Sequence, residues 1–146
     1  MGEGNYRVIF ATTTKDFLDP DQEKKEAQKA TLLSFDQELG EVLGAWIRLG
    51  WGDDAPAIVW KNLYSGGIDI KGKWWNRDKD NIGIGYAYLG RGNLDINKSH
   101  VFETYYRYAF TEILSATADV QYLKEDFPEG GDRKGWFFGV RITAEF

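Results

Sequence analysis

The final segment of the sequence constrains the fold most, because its residues alternate without interruption between two kinds of side chain. A repeat of two residues is that of an extended β-strand with one apolar and one polar face. The apolar series is Trp136, Phe138, Val140, Ile142, Ala144 and Phe146, and the intervening residues are Gly135, Phe137, Gly139, Arg141, Thr143 and Glu145.

The same period recurs along the chain and predicts eight strands, which indicates an all-β antiparallel fold. Aromatic residues make up 16% of the chain, and its 17 glycines with only 3 prolines suit many strands joined by turns. The predicted strands cover residues 5–14, 30–38, 42–52, 62–75, 81–90, 100–110, 114–124 and 134–146.

Aromatic residues bracket two apolar faces at a spacing that fits a lipid bilayer. Tyr64 and Trp74 are ten residues apart, as are Trp136 and Phe146. At about 3.4 Å per residue and a tilt of about 40°, ten residues rise roughly 26 Å, close to the apolar band of about 25 Å in membrane barrels. We therefore predict an up-and-down transmembrane β-barrel, with residues 1–146 as one domain. The predicted membrane-interface aromatics are Trp51, Tyr64, Trp74, Tyr88, Phe102, Phe110, Tyr122, Trp136 and Phe146.

The predicted connections alternate in length, as periplasmic turns and external loops do in membrane barrels. The first loop, rich in Glu, Lys and Gln at residues 19–30, is expected to be a solvated polar loop, with a short helix as the alternative. The long connections are 15–29, 53–61, 91–99 and 125–133, and the short ones are 39–41, 76–80 and 111–113.

Composition excludes several other classes of function. A net charge of -5 and a pI of 4.9 argue against a nucleic-acid partner. The chain has no cysteine, and its single histidine, His100, is expected at the surface, so we predict no catalytic residue, metal or cofactor. Residues 1–5 carry no basic region followed by an apolar core, so we expect a processed chain or a piece of a longer one.

Five short segments, in their order and spacing, resemble a known family. They are Gly4-Asn5-Tyr6-Arg7, Ser34-Phe35-Asp36-Gln37, the stretch 44–51 with Arg48, Glu103-Thr104-Tyr105-Tyr106-Arg107, and the closing stretch 139–146. Together they resemble the C-terminal half of the carbohydrate-selective outer-membrane porins, the OprB family.

The resemblance implies a channel in the outer membrane of Gram-negative bacteria. It implies a barrel of about sixteen strands that admits sugars and other small hydrophilic solutes passively through a charge-lined aqueous lumen. This chain supplies only about eight strands. The terminal Phe146 matches the signal by which the outer-membrane assembly machinery reads the last strand of this class. Association between copies stays open.

The polar faces of the predicted strands supply the candidate lumen. The alternative is a closed eight-stranded barrel without a pore, in which the same charges would neutralise one another in a packed interior and the loops would carry a structural or interaction role. The inward glycines Gly83, Gly85, Gly135 and Gly139 leave volume for water and favour the channel. The predicted lumen-lining residues are Arg7, Asp36, Glu38, Trp46, Arg48, Asp69, Lys71, Lys73, Glu103, Tyr105, Arg107, Asp119, Gln121, Arg141 and Glu145.

Overall fold

The computed structural model describes residues 2–145 and consists of one long antiparallel sheet with a small hairpin in its first loop. The sheet has eight strands, and their order in the sheet is their order in the chain. The all-β antiparallel prediction is therefore confirmed. No helix within residues 2–145 has the length and apolar character needed to cross a bilayer. The strands are β1 (Gly4–Thr12), β2 (Phe17–Leu18), β3 (Lys25–Glu26), β4 (Lys29–Leu39), β5 (Leu43–Gly52), β6 (Trp60–Lys71), β7 (Asn81–Arg91), β8 (Lys98–Ala109), β9 (Leu114–Asp126) and β10 (Asp132–Ala144).

The predicted strands agree with the eight long strands except at the end of the fourth. That strand, β6, stops at Lys71, and Gly72–Trp75 form a single turn of 3-10 helix. Lys73 and Trp74 therefore lie in a turn rather than on the strand. The ten-residue spacing between Tyr64 and Trp74 does not follow one strand, so that part of the membrane argument was wrong.

Gly72 ends β6 because the chain folds back tightly at this residue. Its amide donates to the Asp80 carbonyl at 2.8 Å, and its carbonyl accepts from the Arg77 amide at 2.9 Å. A Cβ at Gly72 would collide with the Arg77 carbonyl, so a side chain has no room there. This contact between residues of one turn overrides the alternating pattern that continues through it in the sequence.

Alternation divides the sheet into two faces, which the cross-strand register keeps continuous from β1 to β10. The inner face contains Asp36, Trp46 and Glu103. On each strand it also contains every second residue counted from the one in register with these three, and the outer face contains the remaining residues. On the long strands, the exposed large apolar side chains lie on the outer face, with Ile9 and Phe137 as the exceptions. They include Tyr6, Val8, Phe10, Ile47, Trp51, Tyr64, Ile68, Ile84, Tyr86, Phe102, Tyr106, Tyr108, Trp136, Phe138, Val140 and Ile142.

A cavity of about 380 Å³ on the inner side, lined by residues from β7 to β10, marks this as the concave side of the sheet. The apolar face is therefore convex and outermost. Water-exposed monomers rarely carry so large a contiguous apolar surface, whereas a lipid-facing sheet requires one. A soluble lipid-binding barrel would need its apolar face inside, and this arrangement is the reverse.

The two edges of the sheet, β1 and β10, are not paired with each other within residues 2–145. All residues of β1 are exposed, and most of β10 is exposed too. A closed eight-stranded barrel requires hydrogen bonds between these two strands, so the described residues form an open sheet instead. Unpaired amide and carbonyl groups along both edges can accept further strands.

The connections lie at two opposite ends of the sheet, called here the loop end and the turn end. The first loop-end connection is the longest, but the turn-end connection at residues 72–80 exceeds the other three loop-end connections and breaks the predicted alternation. The loop end comprises residues 13–28, 53–59, 92–97 and 127–131, and the turn end comprises 40–42, 72–80 and 110–113.

The first three loops of the loop end are tied to one another by hydrogen bonds. The Ala57 amide donates to the Leu18 carbonyl at 2.8 Å, which joins the second loop to the hairpin of β2 and β3. The Asn93 side chain donates to the Pro56 carbonyl and accepts from the Ile58 amide, both at 2.8 Å. The first loop thus contains a short hairpin, which differs from both the unstructured loop and the helix considered above.

Candidate functional site: the charged inner face

Four cross-strand rows of residues cover the middle of the inner face. Within each row, neighbours on adjacent strands are directly opposite one another in the register. Acidic residues occur in the two central rows and basic residues in the two outer ones. From the loop end to the turn end, the rows are Arg7, Ser34, Arg48 and Ser65; then Asp36, Trp46, Gly67, Gly85, Glu103, Gln121 and Phe137; then Glu38, Gly44, Asp69, Gly83, Tyr105, Asp119 and Gly139; and then Lys71, Asn81, Arg107, Thr117 and Arg141.

Two ion pairs link rows of opposite charge on the first half of the sheet. Arg48 Nη2 lies 2.6 Å from Asp36 Oδ1, and Lys71 Nζ lies 2.7 Å from Glu38 Oε1. The side chains of all four residues are between 29% and 44% exposed, so both pairs remain in contact with water. Pairs this exposed contribute little to stability.

A second group of polar side chains is held together by hydrogen bonds at Asp69. Asp69 Oδ1 accepts from the Asn81 side-chain amide at 2.6 Å and from the Tyr105 hydroxyl at 3.0 Å. The Asn81 amide also lies 3.2 Å from the Tyr105 hydroxyl. These contacts fix the tyrosine ring and one carboxylate oxygen in a defined position on the wall.

Aromatic rings lie against glycines on the inner face. A Cβ at Gly67 would lie 2.8 Å from the Trp46 ring, and one at Gly85 would lie 3.2 Å from it. A Cβ at Gly83 would collide with the Tyr105 ring. These glycines therefore allow both rings to lie flat along the inner face.

This arrangement corrects the prediction that the inward glycines leave volume for water. The space above Gly83 and Gly85 is taken by Tyr105 and Trp46. The space above Gly139 is taken by the Asp119 carboxylate. At Gly135 the nearest atom to an added Cβ is in the Phe137 ring, 3.9 Å away, so this glycine alone of the four is open.

Four charged side chains of both signs converge on the 380 Å³ cavity between β7 and β10. They are Glu103, Arg107, Asp119 and Arg141, and no ion pair within 4.0 Å includes any of them in the described part of the chain. Arg107 Nη1 instead donates to the Lys79 carbonyl at 3.1 Å. The charged groups that line the cavity therefore do not form ion pairs with one another. Asn81, Tyr105, Thr117 and Gln121 complete its lining.

The structure places the predicted lumen-lining residues on the inner face, with two outside its strands. Lys73 lies in the 3-10 turn, where it hydrogen-bonds Glu41 of the neighbouring turn. This hydrogen bond raises the pKa of Lys73 and lowers the pKa of Glu41. Glu145 lies beyond the end of β10, and its amide donates to the Ile113 carbonyl at 2.9 Å.

Sequence reasoning missed Asn81 and Thr117, which also line the cavity. Both alternate in step with the other inner-face residues of β7 and β9, so their position could be predicted from the alternation. Neither side chain is charged or aromatic, and the lumen prediction rested mainly on those two residue types. Asn81 matters most of the two, since it connects Asp69 to Tyr105.

The predicted interface aromatics fall at two levels of the outer face. Trp51 Nε1 donates to the Tyr64 hydroxyl at 3.1 Å, and the Tyr64 and Tyr88 rings stack with centroids 6.1 Å apart. The Tyr122 and Trp136 rings are 4.9 Å apart on β9 and β10. With Phe102, these residues form a girdle near the loop end. Phe110 and Trp74 lie at the turn end, and Phe146 lies outside the described residues.

An antiparallel sheet with a convex apolar face, aromatic residues near its ends and a charged concave face is the architecture of an outer-membrane β-barrel channel. Residues 3–146 match the family described as carbohydrate-selective porin, OprB family. The chain therefore belongs to the OprB family of carbohydrate-selective porins, as its sequence motifs indicated, and its place is the bacterial outer membrane.

The fold is similar to that of Pseudomonas putida OprB in its high-pH structure, with a TM-score of 0.72 and 18% sequence identity. The similarity covers 98% of this chain but 44% of the Pseudomonas putida chain. This chain thus spans less than half the length of that protein. No curated protein sequence matches it. Membership of a porin family indicates a channel rather than an enzyme.

Proposed function

We propose that this chain forms about half the wall of an outer-membrane channel through which sugars and other small hydrophilic solutes diffuse passively. The observation that carries the proposal is the cavity lined by Glu103, Arg107, Asp119 and Arg141, whose charges are not paired with one another. Sugar hydroxyls are both donors and acceptors of hydrogen bonds. A wall with carboxylates and guanidinium groups close together offers partners for both roles.

The rings of Trp46 and Tyr105 support the choice of sugars among hydrophilic solutes. Each ring lies over glycine on the wall, and an aromatic face presented to the lumen can pack against the C–H groups of a sugar ring. Tyr105 is held by Asp69, so the contact costs little side-chain entropy on binding. The family description points to the same class of solute.

The remainder of the channel wall is supplied by further strands that pair with β1 and β10. Eight strands close into a lumen only wide enough for side chains, whereas aqueous channels need about sixteen. The two open edges and the 44% coverage of Pseudomonas putida OprB support a wall of which residues 1–146 are one part. We therefore treat the chain as a piece of one larger barrel domain rather than a complete barrel.

Passive diffusion needs no covalent step, so we assign no catalytic residue, metal or cofactor. Glu103 and Asp119 are two carboxylates on one wall, which glycoside hydrolysis also requires. They are adjacent to Arg107 and Arg141 in the same cavity, an arrangement expected of a charge-lined channel. We assign them to solute contact.

Two further partners follow from the same account. The lipid bilayer contacts the convex face, and the assembly machinery of the outer membrane reads the C-terminal segment, with the terminal aromatic Phe146 as the signal. Association between copies would use the convex face, since the concave face lines the lumen.

Conductance and sugar uptake by the barrel that contains residues 1–146 together with the strands that complete its wall test the proposal. The complete barrel is inserted into lipid vesicles and planar bilayers, and insertion is verified by resistance of the strands to protease. We expect a stable open conductance and vesicle swelling that slows as the sugar becomes larger. An inserted, protease-resistant barrel that gives neither conductance nor swelling would contradict a role in forming a channel.

A further inference from the structure

On the outer face of β8, β9 and β10, a row of basic residues lies two residues nearer the loop end than Phe102, Tyr122 and Trp136 of the aromatic girdle. His100 is opposite Lys124, and Lys124 is opposite Lys134, on three adjacent strands. The next row towards the membrane centre is aromatic, with Phe102 opposite Tyr122 and Tyr122 opposite Trp136. The pattern changes from aromatic to basic within two residues on each strand.

The opposite end of the same three strands has no counterpart to this row. There Tyr108 is opposite Ala116, and Ala116 is opposite Ile142. On these three strands, the basic residues of the outer face therefore occur at the loop end only. This asymmetry distinguishes the row from lysines scattered for solubility.

The row places like charges side by side, which a sheet avoids unless something compensates them. Lys124 and Lys134 are direct cross-strand neighbours, and such pairs of like charges are destabilising. Asp132 lies 2.9 Å from Lys124 Nζ and compensates that residue. Lys134 is exposed and has no carboxylate within 4.0 Å in residues 2–145.

The basic row and the charged residues beside it carry excess positive charge, even when Lys98 and Asp126 at the loop end are included. Lys98 Nζ lies 3.1 Å from Asp126 Oδ2, and Lys124 Nζ lies 3.4 Å from Asp126 Oδ1. Three lysines thus face two aspartates on the outer surface. The excess is notable because the chain as a whole carries a net charge of -5.

The position of the row matches the level of lipid headgroups. Tyr and Trp girdles lie at the boundary between acyl chains and headgroups. On a strand tilted by about 40°, two further residues rise about 5 Å above the level of Phe102, Tyr122 and Trp136, and lysine side chains extend towards the polar side. The loop end is the external end of such barrels, so the row lies against the outer leaflet.

We propose that His100, Lys124 and Lys134, with Lys98 beside them, bind the phosphate groups of a phosphorylated glycolipid of the outer leaflet, that is, lipopolysaccharide. Charge complementarity and continuity with the girdle both select this partner: the acyl chains pack on the aromatic row while the phosphates meet the basic row. His100 is held for this contact, since its Nδ1 lies 2.6 Å from the Tyr86 hydroxyl and its ring packs against Tyr88. The site does not depend on whether the inner face conducts.

Titration of the full chain in detergent micelles with lipid A tests the proposal, with bound lipid counted by native mass spectrometry. The double variant Lys124→Gln/Lys134→Gln removes two of the basic groups. Its affinity for lipid A should fall about thirtyfold, because each lysine at an anionic lipid surface contributes about a fivefold factor. The matched control Lys73→Gln/Lys79→Gln makes the same charge change at the turn end and should bind as the parent does.

Four further measurements keep the test decisive. Lys124→Arg/Lys134→Arg should retain affinity, and lipid A stripped of its phosphates should bind the parent and the glutamine variant equally. Lys134→Gln alone removes no ion pair, so it should fold normally and still lose about fivefold if the double variant misfolds. The proposal would be overturned if the glutamine variant and the turn-end control bound lipid A with equal affinity. It would also be overturned if inorganic phosphate competed for the site as strongly as lipid A itself.

Discussion

Replacing Asp80 by asparagine removes the charge at the centre of the turn that follows β6. The Asp80 side chain is 1% exposed. Its Oδ2 accepts from Arg77 Nε and from the Tyr106 hydroxyl, both at 2.5 Å, and its Oδ1 accepts from the Ala109 amide at 2.8 Å. One carboxylate thus ties the turn to the end of β8, and an asparagine amide can satisfy only part of this set.

The expected cost is about 3 kcal/mol of unfolding free energy. Breaking a buried charge pair costs about 3–5 kcal/mol, and hydrogen bonds to a charged group are worth about 1.5–3 kcal/mol each. The lower end applies because Arg77 remains 38% exposed and can be rehydrated when its partner is neutral. The Arg77 guanidinium also lies 3.9 Å from the Tyr108 ring centroid, a contact that the substitution leaves in place.

Urea unfolding in lipid vesicles, followed by tryptophan fluorescence, measures the difference. Asp78→Asn makes the same chemical change at an exposed position of the same turn and should leave the midpoint unchanged. Equal stability of Asp80→Asn and Asp78→Asn at neutral pH would refute the reasoning, because it would mean that the buried carboxylate contributes nothing as an anion.

Asp80 should also determine how the free energy of unfolding depends on pH in the acid range. Hydrogen bonding from Arg77 lowers the pKa of Asp80 well below its usual range. A depressed carboxyl pKa contributes stability that is present above the unfolded-state value of about 3.9 and is lost as the pH falls below it. The parent should therefore lose stability more steeply than Asp80→Asn between pH 4 and the acid limit, and identical acid profiles would contradict this.

Two predictions concern the inner face. Gly83→Ala forces the Tyr105 ring off the wall and away from Asp69, so it should cost about 1–3 kcal/mol in the same urea assay, and Tyr105→Ala in the same chain should recover most of that loss. Neutralising Glu103 and Asp119 together should shift the reversal potential in a salt gradient towards anions, by about fourfold in permeability ratio per charge before screening, and no shift would remove these residues from the conducting path.

The division of the sheet into two faces could be predicted from the sequence because it depends on a local property. A period of two fixes which residues share a face once the strand is known, so Glu103, Arg107 and Asp119 were assigned together correctly. The same rule assigned Tyr122 and Trp136 to the opposite face. No information from distant parts of the chain was needed for these assignments.

The features that sequence reasoning missed all depend on contacts between strands. The alternation continues through Lys73 and Trp74, and only the close approach of Arg77 to Gly72 ends the strand before them. The glycine at position 83 looked like empty volume because its occupant, Tyr105, comes from the next strand. Likewise, no single segment of the sequence shows whether the two edge strands pair with each other.

Buried polar residues in turns were equally hard to foresee. Asp80 lies in a run of charged residues, 77–80, that looks uniformly solvated in the sequence. Its burial follows from the position of Tyr106 and Ala109 on β8, more than twenty-five residues further along the chain.

Thiol accessibility along β8 and β9 tests the central claim most directly, namely that the charged face lines water while the apolar face contacts lipid. The chain has no cysteine, so single substitutions report without background. In membranes, a charged maleimide should label Glu103→Cys and Gln121→Cys rapidly and should not label Thr104→Cys or Val120→Cys. Equal labelling at all four positions, or labelling of the apolar face alone, would contradict the account.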